Sequence, residues 1–115
     1  MPSGFLKIFQ TVDLPKLRSL QELRILVRTC LVESEKVVGK MPASLRFKPM
    51  KSQWGSCNSA DIIALNTRLM FLPDRLVAYI VHHEMVHLKI RKHDRSFRAL
   101  VEVLFPDRLV LDRRL

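Results

Sequence analysis

His83-Glu84-Met85-Val86-His87 stands inside residues 76–88, a run otherwise apolar on nearly every side, and is followed by Leu88-Lys89-Ile90-Arg91-Lys92-His93. A run this evenly hydrophobic does not suit a surface helix and predicts one that passes through the core. Pro73 and Asp74 fit its first turn: proline brings a preset φ, and the carboxylate complements the positive end of the helix dipole. Two histidines at i and i+4 project only ~40° apart at 3.6 residues per turn, so both imidazoles reach one ion. Glu84 projects ~100° from His83, beside such an ion rather than on it, where a general base takes a proton from metal-bound water. Three ionisable groups in a core helix are costly unless paired or metal-bound.

A catalytic zinc usually takes three protein ligands and a water. His93 is the leading candidate for the third. On an unbroken helix it would lie ~15 Å along the axis from His83 and could not share an ion with it. The helix is therefore expected to break between about Leu88 and Lys92, and Asp94, as the N-cap of a new helix, supplies a reason for the break. Glu102 is the rival third ligand, but it points ~140° away from Phe97, off the buried face of that last helix. His82 points away from the His83–His87 face and reads as a packing or surface residue.

Outward from this segment the chain divides simply. Alternation around Phe5, Lys7 and Phe9 suggests an edge strand. Ser19 followed by Glu22 has the spacing of a capping box, and Leu20, Leu23, Val27, Cys30, Leu31, Val37 and Val38 then recur at helical intervals until Gly39 and Pro42 end the helix. Cys30, on that face, reads as a small core hydrophobe. Residues 44–48 alternate. Residues 53–57 and 62–65, separated by the turn formers Asn58-Ser59-Ala60-Asp61, read as a short antiparallel strand pair. Phe97, Leu100, Val101, Leu104 and Phe105 form the face of a further amphipathic helix that Pro106 stops, with residues 107–115 left for one short helical turn.

The 115 residues form one domain, with 48% hydrophobic and 27% charged residues excluding a disordered chain. No apolar stretch approaches the ~20 residues of a bilayer span, so no membrane association is expected. The N-terminus lacks the layout of a signal peptide, and two cysteines are too few for a disulfide scaffold. Both features predict a cytoplasmic protein. Twenty Lys and Arg against 11 Asp and Glu leave a net charge of +9, a field that attracts anions and would favour weak association with nucleic acid. The basic residues are spread evenly and aromatics are only 7%, so a solvated surface is the simpler explanation.

At residues 45–106 the chain resembles the YgjP-like family of small zinc metallopeptidases, relatives of the SprT and WLM proteases. Lys51-Ser52-Gln53-Trp54-Gly55-Ser56-Cys57 is similar to the family's Trp-Gly-Ser-Cys block, and Leu65-Asn66-Thr67-Arg68-Leu69 to its Leu-Asn-x-x-Leu strand. Pro73 precedes the metal helix, and His93 with Phe97 matches the closing segment. The resemblance implies a zincin-like α+β fold: an N-terminal helix, a small, mostly antiparallel sheet lying against a buried metal-binding helix, and a C-terminal helix. It implies Zn2+ held by His83, His87 and His93, with Glu84 as general base. The same His-to-His spacing occurs in metzincins, although Ile90 stands where they carry glycine, while Glu102 would be the ligand in a gluzincin arrangement. Gln53, Asp94 and Arg98 depart from the usual Arg, Ser and aromatic, and the first and last of these bear on substrate preference more than on metal binding.

These observations predict a single minimal metallopeptidase domain over residues 1–115, acting on a peptide or protein substrate. Two alternatives stand beside it: a metal-dependent hydrolase of a nucleotide phosphoanhydride, and a non-catalytic zinc-stabilised module that binds nucleic acid or protein. Trp54 is expected to pack against the metal helix, with Gly55 permitting close approach, while the strand around them could pair with an extended peptide. Cys57 is expected to be a buried free thiol rather than a zinc-directed thiolate. Tyr79, one turn before His83, either hydrogen-bonds in the site or fills core. Whether residues 107–115 fold over the cleft and keep the enzyme latent stays open.

Overall fold

The structure, a computed structural model, describes residues 17–115; the strand expected around Phe5 and Phe9 lies outside them. The first helix, α1, runs Leu20–Val38. Its capping box is complete: the Glu22 N–H donates to Ser19 Oγ at 3.1 Å and the Ser19 N–H to the Glu22 carboxylate at 2.9 Å. Gly39 ends it in the left-handed conformation, φ +77°, with its N–H returned to the Glu35 carbonyl. Leu23, Val27, Leu31 and Val38 are buried, as their spacing predicts. Cys30 is half-buried beside them, and burial pushes its thiol up to about 11.

Three short strands follow, β1 (Ser44–Lys48), β2 (Gly55–Cys57) and β3 (Ile62–Asn66), in the spatial order β1-β3-β2. β2 and β3 form the expected antiparallel hairpin. Its turn is held by Asn58, whose side-chain oxygen accepts the N–H groups of Ala60 and Ile62, while Asp61 takes a positive φ of 61°. β1, however, pairs with β3 in parallel, so the sheet is mixed rather than mostly antiparallel. Pro49 has no N–H to continue the ladder, and the link after it crosses the end of β3 before β2 begins. Asn66 fixes that crossing, donating its side-chain amide to the Met50 and Gln53 carbonyls at 2.9 and 2.8 Å.

A short 3-10 helix (Thr67–Phe71) leads into α2 (Asp74–Val86), the predicted core helix. Residues on nearly every side of α2 are buried, and it packs against α1, β2 and the two helices that follow, α3 (Arg95–Leu104) and α4 (Arg108–Arg114). Its N-terminal end is tied to α1 by Arg18, which donates to the Leu69 and Leu72 carbonyls and pairs with the Asp74 carboxylate. His82 is buried and joins three helices. Its Nε2–H donates to the Leu100 carbonyl of α3 at 3.0 Å, leaving Nδ1 to accept the Ser34 hydroxyl of α1. Among the described residues no helix is long and apolar enough to cross a membrane.

Candidate metal centre

α2 ends at Val86 and the chain turns back over the next residues, with the N–H groups of Leu88, Lys89 and Ile90 returning to Met85 and Val86. The new helix starts where Asp94 caps it, accepting the Phe97 N–H at 2.9 Å. This is the break that the position of His93 requires. His93 Nε2 comes to lie 3.0 Å from His87 Nε2 and 3.3 Å from His83 Nε2. The three imidazoles form a group able to hold a metal ion, one ligand atom from each lying within 4.8 Å of the others. A tetrahedral ion with bonds of ~2.0–2.1 Å keeps its nitrogens about 3.3 Å apart, so the donor set fits.

The surroundings set the state of the rings. His87 Nδ1–H donates to the Ile90 carbonyl at 3.0 Å, which leaves the Nε2 lone pair facing the other two rings. Burial, reinforced by the neighbouring imidazoles, pushes His83 down to about 3, and burial lowers His87 as well, so both are neutral at ordinary pH. Phe97 supports all three imidazoles, with ring centroids 5.0, 4.5 and 4.8 Å from those of His83, His87 and His93. Arg98 donates to the His93 carbonyl at 3.0 Å and so steadies the loop that delivers this ring. The sequence placed Phe97 on a buried face but carried no sign that this face is the floor of the histidine cluster.

Glu84 is 4% exposed, and burial pushes its carboxyl up to about 8. Its side chain lies under β2: an ideal Cβ on Gly55 would come within 3.0 Å of Glu84 Cγ. Gly55 therefore permits the close approach expected of it, and Trp54 beside it is buried in the core. Glu102 pairs with Arg108 on α4 at 3.0 Å and is not among the ligand atoms that converge.

A cavity of about 570 Å³ opens over these residues. Gly55, Ser56 and Cys57 of β2 form one wall, and Asp112 and Leu115, near the end of the described chain, also line it. Cys57 is free and only half-buried, in contact with Arg91 at 3.5 Å, with burial as the main cause of its raised pKa. Arg91 also donates to the Asn58 carbonyl and the Asp61 carboxylate, each at 2.8 Å, binding the loop after α2 to the hairpin turn. Tyr79 lines the cavity, and its hydroxyl donates to Asp112 at 2.5 Å.

Residues 17–115 match the family model of the YgjP-like metallopeptidase domain. The chain belongs to the YgjP-like metallopeptidase family. Membership places it among peptidases rather than phosphoanhydride hydrolases or non-catalytic modules. The crystal structure of the metallopeptidase zymogen of Pyrococcus abyssi abylysin is similar at 26% identity and a TM-score of 0.68, over 76% of this chain and 90% of that one. The metallopeptidase zymogen of Methanocaldococcus jannaschii jannalysin shares the fold, with 20% identity and a TM-score of 0.65, over 80% and 91% of the two chains. No curated protein matches the sequence.

Proposed function

We propose that this YgjP-like metallopeptidase is a zinc enzyme whose ion is held by His83, His87 and His93 and whose general base is Glu84. The observation that carries the reading is the convergence of three imidazoles beside one buried carboxyl of raised pKa. Zinc, when bound, lowers the pKa of a coordinated water toward ~7 and polarises a carbonyl. Glu84, the carboxylate beside the cluster, would take a proton from that water and return it to the leaving amine. An extended substrate pairs with β2, an edge strand that also forms a cavity wall. The two free cysteines support a reducing, cytoplasmic setting. Metal content and peptide hydrolysis on the same preparations test the assignment. Wild type carries about one zinc per chain, Glu84→Gln keeps the zinc with turnover reduced at least ~10²-fold, and His93→Ala loses most of the metal. Zinc retained in full by His93→Ala would remove that ligand.

A second reading concerns latency. Asp112 and Leu115 both line the cavity over the histidine cluster, and the two similar crystal structures named above are of zymogens. The described conformation is read as a latent one, with the α4 end occupying part of the substrate's path. Leu115→Asp, which puts a charge where a 6%-exposed apolar side chain now sits, is expected to raise turnover severalfold at unchanged zinc content. Equal or lower turnover argues for an open cleft.

A further inference from the structure

We propose that Tyr79 is a catalytic residue, donating its phenolic hydrogen bond to the substrate carbonyl oxygen as that oxygen gains negative charge, and that Asp112 holds the phenol until substrate arrives. The proposal rests on the metallopeptidase reading of the site. Its first support is register. Tyr79, His83 and His87 follow one another at four-residue intervals on α2, so they share one stripe of the helix, and the Tyr79 ring stands edge-on to His83 with centroids 6.4 Å apart. Its second support is placement. Glu84 borders the cavity on the β2 side, under Gly55, while Tyr79 borders it on the α4 side, against Asp112. Base and donor thus flank the histidine cluster from different walls.

The third support comes from how the donors are used. Arg91, the cationic donor of the cavity, is spent on Asn58, Asp61 and Cys57. Among the described residues the Tyr79 hydroxyl is held by a carboxylate on α4, and that carboxylate has a second partner in Arg108, 3.8 Å away. Moving the hydrogen bond from Asp112 to a substrate oxygen exchanges one anionic acceptor for another and transfers no proton. Burial and the Asp112 charge raise the phenol above its ordinary pKa, so it remains a neutral donor throughout.

Tyr79 is the only tyrosine of the chain, so ring-labelled tyrosine gives one resonance that reports this hydroxyl. The zinc-loaded full chain is titrated with a peptide phosphonate, whose tetrahedral anionic oxygens mimic the attacked carbonyl. The tyrosine signal is expected to shift on binding, and at lower phosphonate concentration in Asp112→Asn. Tyr79→Phe is expected to lower kcat by ~10²-fold with KM within about twofold, and to weaken the phosphonate by a similar factor at unchanged zinc content. Asp112→Asn, which weakens the same contact from the other side, is expected to raise kcat/KM. Equal losses in both variants would show a purely structural latch and overturn the proposal. So would a tyrosine signal that stays put while the phosphonate binds. A chain that binds zinc but cleaves no peptide even with Leu115→Asp in place overturns the metallopeptidase reading itself, and this proposal with it.

Discussion

An ideal Cβ on Gly55 meets three atoms at once: Glu84 Cγ at 3.0 Å, Leu65 Cδ2 at 3.2 Å and the Ala64 carbonyl oxygen at 3.3 Å. The last belongs to the β3 backbone, paired across the hairpin, and cannot yield cheaply. Gly55→Ala should therefore destabilise the fold by about 1–3 kcal/mol and displace Glu84. Denaturant unfolding measures the first effect. The second appears as a fall in kcat larger than any change in zinc affinity. At this scale the sequence was most legible where spacing alone brings side chains together, as for His83 and His87. It was silent on partners distant in the chain. Nothing in the string tells that Phe97 underlies all three imidazoles, that His82 is clamped between Ser34 and Leu100, or that Tyr79 finds Asp112.

The element that matters most is the interruption between α2 and α3. His93 reaches the cluster because the chain leaves helical geometry after Val86 and re-enters it at Arg95. Asp94 supplies the N-cap that makes re-entry favourable at that point. Asp94→Ala is expected to cost about 0.5–2 kcal/mol in chemical unfolding and to weaken metal binding by loosening the adjacent His93. A variant with lowered stability and unchanged zinc affinity would separate the cap from ligand placement. The break itself was legible, since three histidines cannot meet on a straight helix. The direction of β1 was not. Alternation at residues 44–48 states that a strand exists, whereas its parallel pairing with β3 depends on how residues 49–54 cross the sheet.

The whole molecule has a modest core for a chain of net charge +9, and a bound ion that favours the folded state adds to its stability by mass action. At a free zinc concentration 100-fold above Kd this contribution is about 2.7 kcal/mol, or roughly 10 °C or more in unfolding midpoint for a domain of this size. Chelator should reverse the shift in wild type and have much less effect on His93→Ala, as calorimetry would show. An equal shift in that variant would place the ion elsewhere.

From its order of residues alone, this protein determined its helices, the hairpin, the two-histidine motif and the need for a break before His93. Those features depend on period, caps and turn formers within a few residues of one another. Only the tertiary structure decided the mixed sheet, the fit of Gly55 over Glu84, the Phe97 floor and the presence of Asp112 and Leu115 in the lining of the cavity. Each of these joins segments far apart in the chain, and such contacts are selected by the packing of the whole core rather than by any local pattern.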